Sequence, residues 1–208
     1  MNAFVLAGGQ SKRLGRDKAM IEWNGRPLIE HALQKLRALG YEPSIVGSRP
    51  DLVSFAAVIP DMHSQAGPLG GIITALAISD SNQNIFLAVD LPFQPSEFLR
   101  AMIERAEKTN ALATIPRFRG LPQPLFALYS KALLPHAQAA LREGDAKVMR
   151  AVERAKEATG LRADSFDVES VAAAKSWNFT IPLYRWFDNL NTPGDFAKAA
   201  LEQSLGIH

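Results

Sequence analysis

The sequence predicts an α/β fold: a single three-layer α/β/α domain with a mostly parallel sheet and helices on both faces. Short apolar runs bounded by glycine or proline recur along the chain, as in strands buried on both faces. Helical stretches with one apolar face alternate with these runs through the first half, which is typical of βαβ units with right-handed crossovers. No repeat, low-complexity tract or linker divides the 208 residues, so we expect one domain over 1–208.

The first elements show this alternation most clearly. The apolar run Ala3–Ala7 predicts a buried strand, and Asn24-Gly25 is a strong two-residue hairpin turn signal. A helix is predicted between Pro27 and Gly40, since proline favours a helix start and glycine a helix end. Its apolar face comprises Leu28, Ala32, Leu36 and Leu39.

The remaining elements follow from the same two patterns and from their glycine and proline boundaries. The clearest strand is 84–90, and the helix at 95–109 has Ser96 as its expected N-cap. A basic, proline-rich crossing at 116–124 joins two strands, and 185–191 is expected to be extended. The other predicted strands are 43–47, 56–60, 111–116 and 124–130, and the other helices are 67–79, 131–144, 145–158 and 192–205.

The composition excludes several classes of protein and of site. Apolar residues make up 47% of the chain and charged residues 21%, which is typical of a folded domain with a core. The net charge of +2 is too small to indicate nucleic acid as the main partner. Without cysteine the sequence has no disulfide, thiolate metal site or cysteine nucleophile. We expect a cytoplasmic protein that has no membrane partner, because neither a signal peptide nor a spanning apolar run is present.

The stretch LAGGQSKRLGRDK, from Leu6 to Lys18, carries glycines and four cations directly behind the first strand. In open α/β sheets, ligands bind beyond the carboxyl ends of the strands. Glycines let backbone N–H groups approach an anion closely, and lysine and arginine supply the charge that phosphates need. The pattern is neither a Walker A motif nor a dinucleotide fingerprint. It indicates a phosphate cradle, and the alternative is a basic turn exposed to solvent.

Two aspartates stand close to predicted strand ends. Asp90 ends the clearest strand, where a carboxylate can hold Mg²⁺ against phosphate oxygens. The alternative is an aspartate that starts a turn before a proline. Asp61 precedes a helix start in which Gly70 and Gly71 allow the helix to pack close to it, so Asp61 is a candidate ligand-binding residue. The alternative is an ordinary aspartate in a loop next to Pro60.

Polar side chains in the second half are candidates for binding a second substrate. Asn189 and Asn191 are two positions apart in a predicted extended segment, so their side-chain amides lie on the same face. Two amides side by side suit a phosphate, a metal-bound water or a second substrate. Asparagine is also frequent in turns, and Thr192 and Pro193 are explained as the start of a helix. Further candidates for binding an anion are Arg117, Arg119 and Gln123 on the basic crossing and Lys147 and Arg150 on a helix. The alternative is that these are ordinary surface side chains exposed to solvent.

Further motifs follow the glycine-rich loop in a fixed order. The stretches are NGRPLIEHAL, PDMHSQAGPLGGI (Pro60–Ile72), VDLPF (Val89–Phe93), LPQPLFAL (Leu121–Leu128), LREGDAKVMRAV (Leu141–Val152) and NLNTPGDF (Asn189–Phe196). Together with LAGGQSKRLGRDK they resemble the molybdenum cofactor guanylyltransferase family of nucleotidyltransferases. The first motif is shared with other nucleotidyltransferases, whereas the whole ordered set is more specific and spans nearly the whole chain.

The resemblance implies transfer of GMP from GTP to the phosphate of molybdenum-loaded molybdopterin, with Mg²⁺ as cofactor and pyrophosphate released. It implies a nucleotide-binding half at about 1–110 and an acceptor-binding half at about 111–208. A cofactor-delivery protein and recipient molybdoenzymes are the implied partners. The rival interpretations are a cytidylyltransferase of the same cofactor, another small-molecule nucleotidyltransferase and, more distantly, a non-catalytic nucleotide- or pterin-binding module.

The resemblance also assigns roles to residues of this chain. Lys18 and Arg13 bind the triphosphate and take part in catalysis. Asp61 contacts the nucleotide, and Asp90 holds the metal and is catalytic. Gly8 favours GTP, because guanylyltransferases tend to read L-A-G-G here and cytidylyltransferases L-A-A-G. Backbone groups of Leu6, Ala7, Gly8 and Gly9 line the nucleotide. For the acceptor the resemblance names no residue, and the candidates from the polar side chains described above are Gln123, Lys147, Asn189 and Asn191.

The chemistry so implied requires no general base. A phosphate monoester is largely ionised at neutral pH, its second pKa being about 6, so the acceptor is already a nucleophile. Positioning and charge neutralisation are then sufficient for catalysis. Accordingly, the 4 histidines are scattered and form no H-E-x-x-H pair.

One stretch departs from the family pattern. Ser170–Phe187 is longer and more aromatic than expected before the asparagine motif. Trp177 and Trp186 either cover the sheet or reshape the acceptor site, so the departure bears on the acceptor and not on the nucleotide.

Overall fold

Strands and helices alternate along the described part of the chain. The structure, a computed structural model, describes residues 1–8, 17–63, 65–177, 179, 181–190 and 194–195. In chain order the elements are β1 (Asn2–Leu6), β2 (Glu22–Trp23), β3 (Arg26–Pro27), α1 (Leu28–Arg37), β4 (Ser44–Val46), β5 (Val58–Ile59), α2 (Gly67–Ile78), β6 (Gln83–Ala88), α3 (Ser96–Thr109), β7 (Ala113–Phe118), β8 (Leu121–Pro122), β9 (Phe126–Ser130), α4 (Leu134–Arg142), α5 (Val148–Thr159), β10 (Ala163–Asp167) and α6 (Val168–Ala174).

The main sheet of the described residues has eight strands in the order β10-β7-β9-β6-β1-β4-β5, with β8 paired to β7 beside this path. β9 runs antiparallel to both of its neighbours and β8 antiparallel to β7, and the other pairings are parallel. β1 lies inside the sheet, with Phe4 opposite Phe86 of β6 and Ser44 of β4. The carboxyl ends of β1, β4 and β6 therefore lie at one edge, and the segments after them are brought together.

Apolar side chains pack on both faces of this sheet. On one face Val5 and Leu87 share a core with α1 and α3. On the other face Phe4 and Phe86 share a core with α2, α4 and α5. Because consecutive strand residues point to opposite faces, β1 contributes to both cores. The predicted fold class, a mostly parallel sheet with helices on both faces, is confirmed.

The small hairpin of β2 and β3 has the turn that the sequence predicts. Asn24 and Gly25 have φ values of 49° and 73°, the left-handed conformation that a tight two-residue hairpin turn requires. The backbone of β3 leads directly into α1, whose buried residues include the predicted Leu28, Ala32 and Leu36.

The basic stretch predicted as a crossing at 116–124 is instead a hairpin, so that prediction was wrong. β7 continues to Phe118, and Arg119 and Gly120 turn the chain with φ values of 51° and 74°. β8 then pairs back onto β7 with Leu121 opposite Phe118. The turn was missed because arginine occupies a left-handed position that asparagine, aspartate or glycine usually fills.

Two other local predictions were wrong. Pro95 and not Ser96 is the N-cap of α3, and no side chain bonds the free N–H groups there. Arg185 ends a short 3₁₀ turn at Leu183–Arg185 where extended backbone was predicted. The predicted helix 192–205 lies outside the described residues except at Gly194 and Asp195, which are helical.

The edge strand β10 and the helix α6 behind it were not predicted. In β10 only Phe166 is buried, so the sequence ADSFD carries almost no alternating apolar signal. The strand forms because it pairs in parallel with β7, which is distant in sequence. No helix within the described residues has the length and apolar character needed to cross a membrane.

Candidate active site

A cleft of about 230 Å³ opens at the carboxyl edge of the sheet, beyond the ends of β1, β4 and β6. Open α/β sheets bind their ligands at such an edge. Residues from six separate segments line the cleft, so folding brings together positions that are distant in sequence. The lining includes Leu6, Ala7, Gly8, Lys18, Asp61 and Asp90, all predicted nucleotide-site residues. The predicted Gly9 and Arg13 lie outside the described residues.

Lys18 and Asp90 meet at this cleft. The Lys18 Nζ lies 3.4 Å from the Asp90 Oδ2, and the two side chains are 27% and 22% exposed. Asp90 follows β6 by two residues, and Lys18 begins a 3₁₀ turn at Lys18–Met20. The structure thus places a cation and a carboxylate side by side where a phosphate and its metal would contact both.

Asp17 and Arg49 hold the Lys18 turn in place. The Asp17 Oδ1 accepts a hydrogen bond of 3.1 Å from the Ala19 N–H and so caps the turn. The Arg49 guanidinium binds both oxygens of the Asp17 carboxylate, with 2.7 Å between Nη1 and Oδ1. Arg49 also pairs with Asp51, and hydrogen bonds with Asp51 and Asp17 raise the pKa of Arg49. The ion pair ties the loop after β4 to the turn that carries Lys18.

Sequence reasoning missed Arg49, although a usable signal was present. Arg49 stands three residues beyond the end of β4, and the strand was predicted. A cation just after a parallel strand lies at the same edge as the glycine-rich loop.

Asp61 is held by one of its two carboxylate oxygens. The Asp61 Oδ1 accepts hydrogen bonds from the His63 N–H at 2.8 Å and from the Thr74 hydroxyl at 3.1 Å. Thr74 is buried in α2, so it provides a rigid anchor. The Asp61 Oδ2 lies 4.0 Å from the point that a Cβ would occupy at Gly8, next to the start of the glycine-rich loop. A ligand in the cleft can therefore reach this second oxygen.

Glycines at the start of α2 allow this close packing, as predicted. A Cβ at Gly70 would overlap the carbonyl oxygen of His63 and lie 2.9 Å from the His63 Cβ. A Cβ at Gly71 would lie 3.1 Å from the Leu6 Cδ2 and 4.0 Å from the Asp61 Oδ2. The helix start therefore lies against both the Asp61 loop and β1.

Residues 3–159 match a family model described as the MobA-like NTP transferase domain. The chain belongs to this family. The molybdenum cofactor guanylyltransferase of Syntrophotalea carbinolica is 31% identical over 100% of this chain and 94% of its own length. That of Pseudomonas putida is 29% identical over 73% of this chain and 81% of its own.

A solved structure gives the same result for the fold. Molybdopterin-guanine dinucleotide biosynthesis protein A from Archaeoglobus fulgidus has a TM-score of 0.79 and 27% identity, covering 99% of this chain and 100% of that one. The family resemblance found in the motifs is confirmed. The predicted class of enzyme, a nucleotidyltransferase, is confirmed with it.

A MobA-like NTP transferase acts on nucleotide phosphates, and Asp90 has the chemistry to hold a divalent cation on them. No cluster of three or more His, Cys, Asp or Glu side chains lies close enough to share a metal ion within the described residues. Mg²⁺ in phosphate-transfer sites does not need one, because it keeps several waters and binds one or two carboxylates plus the substrate phosphates. A partly exposed aspartate beside an open cleft fits that mode.

Two of the predicted acceptor residues lie on segments that reach this edge of the sheet. The Leu190 N–H, next to Asn189, donates a 3.1 Å hydrogen bond to the Asp90 carbonyl oxygen. Gln123 lies between β8 and β9, two residues before Leu125, which lines the cleft. Its side-chain amide donates to the Leu121 carbonyl oxygen at 3.2 Å. Asn191 lies outside the described residues.

Lys147 lies apart from these two. It is exposed at the N-cap of α5, beside a second hollow of about 500 Å³ whose lining includes Met62, His63 and Ala146. The Asp61–Pro68 segment contributes residues to both hollows.

The other candidate anion ligands have partners within the protein. Arg117 donates to the Gly120 carbonyl oxygen at 2.7 Å and Arg119 lies over the Phe118 ring, so both belong to the β7–β8 hairpin. Arg150 lies 3.6 Å from Asp145.

The aromatic stretch before the asparagine motif covers the sheet. Trp186 is only 2% exposed, and its ring lies 5.2 Å from that of Phe98 in α3. Trp177 packs edge-on against the same phenylalanine. Of the two sequence interpretations, the structure therefore favours the one in which both tryptophans complete the core.

Proposed function

We propose that this MobA-like NTP transferase transfers GMP from GTP to the phosphate of molybdenum-loaded molybdopterin and releases pyrophosphate. The observation that carries the proposal is the Lys18–Asp90 contact at the mouth of a cleft that also contains Gly8 and Asp61. Relatives named molybdenum cofactor guanylyltransferase support the choice of GTP and of the acceptor.

The proposed step is an in-line displacement at the α-phosphorus. A phosphate oxygen of the pterin forms the new P–O bond, and the bond from the α-phosphorus to the bridging oxygen of pyrophosphate breaks. The acceptor arrives as an anion, so no protein group has to remove a proton. Lys18 and Arg13 neutralise the negative charge that builds on the leaving pyrophosphate. Asp90 would hold Mg²⁺, which supplies further positive charge to the phosphate oxygens.

Recognition of the guanine base is proposed for the end of β1. Leu6, Ala7 and Gly8 present backbone groups to the cleft, and Gly9 continues that backbone. A methyl group at Gly8 would lie 4.0 Å from the Asp61 Oδ2, so glycine leaves that volume free beside the carboxylate. Glycine at this position is the pattern that resembles the guanylyltransferases, and it supports GTP over CTP.

The acceptor half is proposed to extend over about 111–208, opposite a nucleotide half at about 1–110. Asn189 and Gln123 are proposed to meet the pterin phosphate beside Asp90, and Asn191 and Lys147 are proposed further contacts. A cytoplasmic location, a cofactor-delivery protein and recipient molybdoenzymes belong to the same proposal.

The proposal is tested first by the nucleotide that stabilises the protein. Melting temperatures are measured with GTP, CTP, ATP and UTP, each with and without Mg²⁺. A ligand at about 100 times its Kd stabilises a protein by roughly 2.7 kcal/mol, so GTP with Mg²⁺ should give a clear upward shift. Pyrophosphate release on addition of molybdopterin should follow.

A larger shift with CTP would support the cytidylyltransferase and contradict the role given to Gly8. Stabilisation by GTP without any pyrophosphate release from the reconstituted reaction would support a binding module and overturn the proposed activity.

A further inference from the structure

Lys35 of α1 lies behind the loop that carries Asp90. Its Nζ donates to the carbonyl oxygens of Leu91 at 3.3 Å and Pro92 at 2.6 Å, and to the Gln94 Oε1 at 3.2 Å. A lysine ammonium has three protons, and here each has an oxygen of one short loop as its acceptor. Burial lowers the pKa of Lys35, and these acceptors oppose that effect by favouring the charged form.

The same loop is held from its other side by the segment 181–190. The Leu190 N–H binds the Asp90 carbonyl oxygen, and the buried Gln94 side chain donates to the Trp186 carbonyl oxygen. The Arg185 guanidinium lies 4.8 Å from the centre of the Phe93 ring. The loop Asp90–Gln94 is therefore held between α1 and a segment close to the chain's end.

We propose that Lys35 is a positioning residue that fixes the loop Asp90–Gln94 and thereby the direction of the Asp90 carboxylate. The inference rests on the proposed role of Asp90 in holding a divalent cation on the nucleotide. Lys35 does not line the cleft, and its hydrogen-bond acceptors are on the residues that follow Asp90.

The contacts of the loop explain why one lysine matters. The loop lies outside the regular strands and helices, so no N–H group of a sheet ladder or a helix donates to its carbonyl oxygens within the regular pattern. Pro92 has no N–H, which removes one donor that would tie the backbone down. A neutral side chain at position 35 would leave these oxygens without their donor, and a buried polar group that loses its partner is costly.

Base recognition depends on other elements. Leu6, Ala7 and Gly8 belong to or follow β1, and Asp61 is anchored by Thr74 of α2. Loss of Lys35 should therefore weaken the binding of Mg²⁺ to the nucleotide complex and leave nucleotide binding without Mg²⁺ nearly unchanged.

The test compares Lys35→Met with Lys131→Met. Lys131 is a matched control, because its Nζ also donates to a backbone carbonyl oxygen, that of Ser79, which precedes β6 at the opposite edge of the sheet. The first measurement is the Mg²⁺ concentration that gives half of the maximal thermal stabilisation with GTP. Removal of a residue that orients a metal ligand typically costs 10–100-fold in metal affinity, so Lys35→Met should raise this concentration by roughly tenfold or more. Lys131→Met should leave it unchanged, although it lowers the melting temperature.

The second measurement is hydrogen exchange at the Leu190 amide in the free protein. Exchange should be faster in Lys35→Met than in Lys131→Met at equal distance below their melting temperatures, because the acceptor of this amide is on the Asp90 loop. Gln94→Leu removes one of the three acceptors but also the donor to the Trp186 carbonyl oxygen, so it is compared with Gln94→Glu, which keeps an acceptor for Lys35 and loses that donor. Both readouts should shift further in Gln94→Leu than in Gln94→Glu, and this pair replaces Lys35→Met if that variant does not fold.

Equal Mg²⁺ requirement and equal Leu190 exchange in the Lys35 and Lys131 variants would overturn the inference. If the wild-type protein shows no Mg²⁺-dependent stabilisation by GTP, the proposed function fails. The Leu190 exchange then still decides whether Lys35 fixes the loop.

Discussion

Lys18 and Asp90 are 72 positions apart in sequence, yet their side chains meet at the cleft. Asp17 and Arg49 form a second pair beside them. Partly exposed pairs of this kind contribute at most about 1 kcal/mol to folding. Under the proposed function, a polyphosphate with its cation would replace the Lys18–Asp90 contact by several stronger charge pairs.

At the scale of the residue, Asp90→Ala should abolish turnover while the protein remains folded. The variant loses the proposed metal carboxylate, and loss of one electrostatic contact to a transition state typically costs about 10²-fold or more in rate. Unfolding free energy should change by about 1 kcal/mol or less, because the Lys18 contact is partly exposed. Pyrophosphate release and urea unfolding measure the two effects.

Glu153→Ala is the control for this variant, since it removes an exposed carboxylate paired with Lys156 on α5. It should leave both quantities near wild type. A folded Asp90→Ala protein that retains wild-type turnover would contradict the role assigned to Asp90.

At the scale of the element, the start of α2 positions Asp61. Thr74 binds the Asp61 carboxylate from within the helix, and Gly70 lets the helix approach the backbone of His63. The helix start and the Asp61 loop therefore behave as one packed unit, and a side chain between them must push them apart.

Gly70→Ala should destabilise the protein by about 1–3 kcal/mol, the usual cost of overpacking, and should weaken GTP binding because the Asp61 loop moves. Urea unfolding and the GTP-dependent melting shift measure the two effects. Gly71→Ala is the comparison in the same helix. Its Cβ would meet the end of the Leu6 side chain at 3.1 Å, which can adjust, so its cost in stability should be smaller. Equal losses in the two variants would show that the His63 contact is not the cause.

At the scale of the whole molecule, the segment 181–190 completes the core between the sheet and the helices α1 and α3. Trp186, Phe187 and Leu190 are buried in the same cluster as Val5 of β1 and Leu87 of β6. Leu190 also reaches the Asp90 backbone. Residues late in the chain thus stabilise the sheet edge at the ends of β1 and β6.

Trp186→Ala should lower the unfolding free energy by about 3–5 kcal/mol, because it removes a fully buried aromatic side chain. Denaturant unfolding measures this loss. Tyr184→Ala is the control two positions away, since Tyr184 is 42% exposed and should cost little. A loss for Trp186→Ala no larger than that of the control would contradict a core role for this segment.

Much of the cleft lining was predictable because its signals are local. Leu6 ends an apolar strand that runs into glycines, and Asp90 follows the end of another such strand, so topology alone places them at one edge. Lys35 was missed because a lone lysine in a helix looks like any surface cation, and only its contacts with the Asp90 loop distinguish it. Arg49 follows a predicted strand, so its place at the cleft edge had a sequence signal, but its pairing with Asp17 had none.

The sequence by itself determined the alternation of strands and helices, the glycine-rich loop and the strand-end aspartates, since each depends on residues that are neighbours in the chain. The tertiary structure alone decided that Lys18 meets Asp90, that ADSFD is an edge strand on β7 and that Trp186 completes the core between the sheet, α1 and α3. These features are contacts between distant segments. Their free energy comes from burial and pairing that exist only once the sheet has assembled, so no local pattern encodes them.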